Sequence, residues 1–371
     1  MNPEASLPLL YGPWLRAITG GLIPAEVNAT CDNCAMLPSP GSSPDASYFH
    51  PVTKCCAYQP HLPNFLAGRL LEDVDTSMAE GRQELEARIA RRVAITPRWA
   101  GPGEVFALLY RNVPRVFGRA PALGCHFLTA TGGCGIWKHR PAVCATWFCK
   151  YVRGKVGSRF WKLADKLLQT VESDLSLWCL AELGVGSAEV DQATSRAAPD
   201  VSELGGDIDW ARYRKLWGEW AGREIDFYRD CGRLVEPLTW DQVEQISGPR
   251  VRILAELVRD AYASLGSQAI PERLKVGRLA FVGVEGNTYR VVSYSQFDPL
   301  LMPEKLATVL HYFDGRPTEE ALESILAQQG VRLDLGLVRR MVDFGVLQGC
   351  DACQVSGTFQ AMPLMHRKTP Q

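Results

Sequence analysis

Apolar and polar positions follow a helical rhythm along most of this chain. Residues 159–183 (RFWKLADKLLQTVESDLSLWCLAEL) predict a long amphipathic helix stopped by Gly184. Residues 80–93 (EGRQELEARIARRV) are rich in strong helix formers, and 104–111 predicts a further short helix. Two more helices are expected over 209–230 and 249–265, the latter closed by Gly266. Between them, Thr239 and Gln242 have the spacing of a capping box. The rhythm changes near residue 278. RLAFVGV and TYRVVSY alternate with period two and are joined across EGN, which predicts a hairpin. Three short helices follow: 303–313 after Pro303, 318–329 capped by Thr318 and closed by Gly330, and 334–344 capped by Asp334 and closed by Gly345. In the last, Val338, Met341, Val342 and Gly345 mark one face. LPSPGSSPDASY, between Cys34 and Cys55, and GVGSAEVDQATSRAAPDVSELGGD, after residue 183, read as loop or linker.

The expected fold class is therefore mainly α with a small β component. The expected domains are a cysteine-rich domain over 28–155, a helical region over 156–270, a winged-helix-like module over 271–349 and a tail over 350–371. Composition changes this picture little. The chain has 371 residues, 46% hydrophobic and 22% charged, with a formal net charge of -1, so its total charge gives no argument for nucleic acid or membrane. No apolar run is long enough to span a bilayer, and the first twenty residues lack the basic start of a signal peptide. The expectation is a cytoplasmic protein without a membrane partner, in which clustered thiols are metal ligands rather than disulfides.

The cysteines carry the candidate chemistry. Of twelve, eight fall within 31–149: Cys31, Cys34, Cys55, Cys56, Cys125, Cys134, Cys144 and Cys149. Clustered thiolates serve soft-metal coordination, and both tetrahedral zinc and an iron–sulfur cluster take four. Eight is the number for two such sites, or for one site plus redox-active thiols. CxxC at 31–34 lets both sulfurs face one metal. Adjacent Cys55 and Cys56 point apart in extended backbone and tend to serve different metal ions, or different irons of one cluster. Cys179 and Cys231 sit in helical patterns, each without a neighbouring thiol in the sequence, and read as structural.

Charge is distributed to match. From Val105 to Ala164 there are ten Lys or Arg and no Asp or Glu; the remainder of the chain has 30 basic against 41 acidic residues, a balance of -11. Four thiolates on one zinc ion leave a net -2, costly when partly buried, and nearby cations offset it. Arg140, before Pro141 and four residues from Cys144, is the best candidate for that support. Trp137, Trp147, Phe148 and Tyr151 interleave with the charges and read first as a dry wall, with base stacking second. His126, His139, His50 and His61 flank the cysteines and read as support or surface. No catalytic triad, phosphate loop, dinucleotide fingerprint or HExxH is present.

CDNC, KCC and GCHFLTATGGCGIWKHRPAVCATWFCK together resemble the zinc- or iron-chelating cysteine-cluster family, the YkgJ type, over about residues 31–153. The order Cys125, Cys134, Arg140-Pro141, Cys144, Cys149 carries the resemblance. The 20 residues between Cys34 and Cys55 depart from the family spacing. The resemblance implies a metal cofactor, zinc or iron–sulfur, on the eight cysteines. The family also includes flagellin lysine N-methylases, but no S-adenosylmethionine fingerprint is visible here.

The C-terminal stretch, with FDGRPT and a last helix ending in GVL, is weakly similar to the peptide-binding winged-helix domains of the coenzyme PQQ synthesis protein D type. That similarity implies a peptide or protein substrate. Arg339 and Arg340 are balanced by Asp334 and Asp343, which makes a poor DNA-recognition helix. CDAC at 350–353 is a further CxxC, readable as a redox pair or a separate chelate. Two functions follow as expectations: a metal-binding protein acting in protein or peptide modification, or a non-enzymatic metal-dependent binding or regulatory module, nucleic-acid binding included.

Overall fold

The computed structural model describes residues 7–38, 48–113, 117–186 and 208–350. The chain divides into two units, 1–267 and 268–371. The cysteine region and the helical region, expected as separate domains, share the first unit.

In the first unit the elements run α1 (Tyr11–Thr19), β1 (Leu62–Pro63), α2 (Asn64–Glu72), α3 (Ala79–Arg91), β2 (Trp99–Ala100), α4 (Glu104–Asn112), α5 (Ala142–Ala145), α6 (Gly154–Glu182), α7 (Trp210–Trp217), α8 (Glu224–Val235), α9 (Trp240–Ser247) and α10 (Pro249–Gly266). The 29-residue α6 is the spine. Its apolar face, with Phe160, Trp161, Leu167, Leu168, Val171 and Leu175, is fully buried. Helices α10, α9, α5, α2 and α8 all pack on it.

Helices α2 and α8 approach at backbone distance because both carry glycine at the crossing. A Cβ on Gly68 would lie 1.7 Å from the Tyr228 carbonyl oxygen, and one on Gly232 would lie 3.0 Å from the Arg69 nitrogen. The helix expected over 209–230 is two helices. Gly218 and Gly222 take positive φ (+55° and +89°) and turn the chain between α7 and α8. The Thr239–Gln242 capping box is present in full at α9. Cys179 and Cys231 are buried as expected, but they are neighbours: the Cys179 Sγ lies 3.8 Å from the Cys231 carbonyl oxygen. The expectation that each lacks a neighbouring thiol holds in sequence and fails in space, because the packing of α2, α6 and α8 brings the two helices together.

The second unit holds two antiparallel three-stranded sheets. β4 (Ala280–Glu285), β5 (Thr288–Val292) and β6 (Leu300–Pro303) form one in that order, and the expected hairpin closes at Glu285↔Thr288. β3 (Arg273–Val276) lies between β7 (Asp314–Pro317) and β8 (Leu347–Gly349) in the other. Helices α11 (Glu304–Val309), α12 (Thr318–Gln329) and α13 (Leu335–Asp343) complete the unit. Its core gathers Leu274, Val291, Val309, Phe313, Ile325, Val338 and Met341. Asp334 caps α13 as expected, accepting from Leu337 N at 3.1 Å. Thr318 does not cap α12. Pro317 holds the N-cap position, and the Thr318 hydroxyl donates to the Pro271 carbonyl instead. Taken together, the fold is mainly α with small antiparallel sheets. No described helix is long and apolar enough to cross a membrane.

Candidate metal centre

Four chain segments deliver the eight thiols, and backbone hydrogen bonds stitch the central ones together. Residues 51–57 form a tight turn in which Lys54 takes a left-handed φ of 51° and Cys56 N donates to Thr53 O at 2.8 Å. Cys125 N donates to Cys56 O at 2.7 Å, so the second segment enters directly on the first. The chain then doubles back. Leu128 bridges Cys134, and Gly135 N donates to Phe127 O at 2.8 Å, which returns Cys134 beside Cys125. This hairpin lies on α3 with no room for a side chain: a Cβ on Gly81 would be 2.0 Å from the Gly135 carbonyl oxygen. Pro141 then opens the single-turn α5, which carries Cys144.

The electrostatics report the same convergence. Cys56, Cys125, Cys134 and Cys144 form a fully mutual group in which every pair interacts. Burial, then the neighbouring thiols, push Cys125 up to about 12; burial pushes Cys134 up to about 11. Burial likewise raises Cys144, with Cys125, Cys134 and Cys56 adding to it. Cys56 goes the other way, down to about 7, because Cys55 hydrogen-bonds to it and Arg140 and Lys54 stand near. The remaining thiols join this group unevenly. Cys31 acts on Cys56, Cys134 and Cys34, Cys55 on Cys56, Cys31 and Cys144, and Cys149, raised by burial to about 11, on Cys34.

Arg140 sits at the junction. It is 8% exposed, its guanidinium lies 3.4 Å above the Trp137 ring, and Cys134, Cys144, Cys31 and Cys55 all act on it. Lys150 acts on Cys149, and Lys54 donates to the Cys31 carbonyl at 2.8 Å. Of the other basic residues in the acid-free segment, Lys155, Arg159 and Lys162 are exposed along α6, and Arg115 lies outside the described residues.

The acid-free segment is held by carboxylates imported from elsewhere in the chain. Lys138 pairs with Asp75, and His139 with Asp73 at 2.7 Å. Ala142 N donates to Glu172 Oε1 at 2.6 Å, and the Thr146 hydroxyl lies 3.0 Å from Asp165 Oδ1. Val152 N donates to Glu26 Oε2 at 2.6 Å, while Trp161 Nε1 donates to Glu26 Oε1 at 2.8 Å. Burial pushes both Glu26 and Glu172 up to about 7. None of these carboxylates, nor Tyr11, which donates to Glu172, was singled out by sequence. The one available signal was Glu172, an acid among Leu168, Val171 and Leu175 on the apolar face of α6.

The aromatic residues of the segment pack on other rings: Trp147 stacks on Phe49 and meets Phe117 edge-on, and Phe148 meets Trp161 at 4.9 Å. Tyr151 is buried, while Trp137, Trp147 and Phe148 stay half-exposed. His139 is buried against Asp73, and His126 lies at the rim of a cleft of about 340 Å³ with Glu80 and Glu84, a cleft lined by none of the eight thiols.

Among the described residues, no three Cys, His, Asp or Glu side chains stand at the spacing of a closed ligand set. The donor chemistry nonetheless fits a soft cation. Half-buried thiols that raise one another's pKa cannot all ionise without a positive charge between them. Two orphaned buried oxygens, Thr53 Oγ1 and Gln59 Oε1, flank the Cys55–Cys56 pair and add polar atoms with no protein partner. Cys350 lies outside the first unit and Cys353 outside the described residues. No family model matches the chain, and no curated protein or solved structure matches it significantly.

Proposed function

We propose that this chain is a metal-binding protein whose eight clustered cysteines hold zinc or an iron–sulfur cluster. The observation that carries the reading is the pooling of thiols from four separate segments around one buried arginine. Cys56, Cys125, Cys134 and Cys144 would form an inner ligand set; Cys31, Cys34, Cys55 and Cys149 would form an outer one. Extended backbone would have pointed Cys55 and Cys56 apart; in the 51–57 turn Cys55 instead hydrogen-bonds to Cys56, so the pair would join the two sets. Bound zinc supplies a cross-link or a Lewis acid, and an iron–sulfur cluster supplies electron transfer. Arg140, Lys150 and Lys54 offset the thiolate charge, and the imported carboxylates hold the ligand-bearing turns.

The resemblance to the cysteine-cluster family belongs to this proposal, as does a reducing, cytoplasmic setting. The second unit has a hairpin and three helices, an element content that supports the winged-helix reading and with it a protein or peptide partner. Nucleic acid is disfavoured there, because Arg339 is spent on Asp343 within the same helix at 2.7 Å. Metal analysis tests the whole reading. The chain purified anaerobically should carry zinc, or iron with acid-labile sulfide, in at least one equivalent. Protein free of metal and sulfide that takes up no added zinc would sink it. A metal with an open coordination position points to an enzyme, and a set filled by eight thiols points to a binding or regulatory module.

A further inference from the structure

The most telling group outside the thiols is Glu172. It sits in the middle of α6, is buried, and reaches two elements at once. Its Oε1 accepts from Ala142 N at 2.6 Å, at the first residue of α5, and from the Tyr11 hydroxyl of α1. Two turns earlier on the same helix, Asp165 Oδ1 lies 3.0 Å from the Thr146 hydroxyl at the other end of α5. The single-turn helix that carries Cys144 is therefore gripped at both ends by α6 carboxylates seven residues apart, about 10 Å along the helix axis. Tyr11 stands near enough to Cys144 to interact with it electrostatically, so Cys144, Tyr11 and Glu172 form one contiguous group.

Stability alone does not account for this carboxyl. Among the described residues no Lys or Arg offsets the burial of Glu172; the charged neighbour that acts on it is Asp165, of like sign. A buried carboxyl without a cation destabilises a fold relative to an apolar residue of similar size. What the carboxyl supplies that an apolar residue cannot is a fixed acceptor for the otherwise unpaired N–H at the start of α5. That bond sets where α5 begins and hence where the Cys144 sulfur stands.

We infer that Glu172 is a positioning residue for the cysteine centre: it fixes the α5 turn so that Cys144 meets Cys56, Cys125 and Cys134, with Asp165 holding the far end of the turn. The inference rests on the metal-binding reading for its consequence, but its geometric content stands apart from that reading.

The experiment uses the full chain as wild type, Glu172→Ala, Glu172→Gln and Glu172→Asp, in reductant and chelator. Alkylation by iodoacetamide is followed at each cysteine by peptide mapping, with buried Cys179 as the internal reference, and zinc affinity is measured by competition with a chromophoric chelator. Glu172→Ala should speed alkylation of Cys144 at least about ten-fold with Cys179 unchanged, and weaken zinc binding about 10–100-fold, the usual loss when a ligand's support is removed. Glu172→Gln keeps an acceptor oxygen for Ala142 N and should restore both properties most of the way. If Glu172→Ala also exposes Cys179, it has unfolded, and Glu172→Asp decides: its shorter side chain breaks the Ala142 bond while keeping a carboxyl, and should free Cys144 alone. Wild-type Cys144 reactivity in a folded Glu172→Ala or Glu172→Asp protein overturns the inference. Failure of wild-type protein to bind zinc overturns the metal reading instead, and the alkylation pattern still judges the positioning.

Discussion

Glu26 and Glu172 make the first unit respond to pH against the usual trend. Burial moves each carboxyl from its ordinary 4.5 to about 7, even though Glu26 accepts from Val152 N and Trp161 Nε1, and Glu172 from Ala142 N and Tyr11. Both are under a tenth exposed, so solvent screening takes little from the effect. The folded state holds these protons more tightly than the unfolded chain does. Their contribution to stability is therefore complete below about pH 4.5, falls as pH rises, and is gone above about 7. A displacement of this size is worth roughly 3 kcal/mol per group, a large fraction of a typical domain stability of about 5–15 kcal/mol. Urea unfolding of the chelated, reduced protein between pH 4.5 and 8 measures it. Wild type should lose several kcal/mol across the window, and the double variant Glu26→Gln, Glu172→Gln should be much flatter. Titration of Cys56 near 7 is common to both proteins and cancels in the comparison. Equal slopes in the two proteins would refute the reasoning.

Other outcomes follow from the packing. Gly68→Ala forces a Cβ to within 1.7 Å of a backbone oxygen, where no flexible side chain can give way, and should cost about 1–3 kcal/mol or more in thermal unfolding. Arg140→Ala removes the guanidinium shared by five thiols and should weaken metal retention about 10–100-fold in a chelator competition; unchanged retention would assign Arg140 to something other than the thiols. Chelation under reducing conditions should raise amide exchange over 31–155 while 278–349, in the other unit with its own core, stays protected. Equal protection in the first unit with and without chelator would mean that metal does not hold it together.

Local features were legible in the sequence and long-range ones were not. The Thr239 capping box, the Asp334 cap and the hairpin across Gly286–Asn287 depend on residues within a few positions of each other, and each is where the spacing put it. Gly218 and Gly222 carried a legible warning that 209–230 would not be one helix, since each needs a backbone conformation a helix lacks. The crowding of eight of the twelve cysteines into residues 31–149 was legible. Which thiol faces which was not, because the Cys56–Cys125 bond joins residues whose distance in sequence carries no local signal. The carboxylate cradle was hidden for the same reason: Glu26 reaches its two donors across 126 and 135 positions. Even Thr318, placed at a helix start, donates to the Pro271 carbonyl across 47 positions instead of accepting from a local N–H, because the tertiary partner wins over the local donor.

The cradle also orders events during synthesis. All eight thiols precede α6 in the chain, and Glu172 follows Ala142 by 30 residues. At about 5–20 residues per second, the grip on the Cys144 turn emerges roughly 2–6 s after the turn itself. Throughout that interval the nascent chain presents reduced, unheld cysteines to the ribosome's surroundings. On the metal-binding reading proposed above, a metal captured before the spine exists would meet loose ligands and exchange readily, whereas one arriving after α6 would meet a turn already gripped and stay. Metal loading would then be tied to the clock of translation.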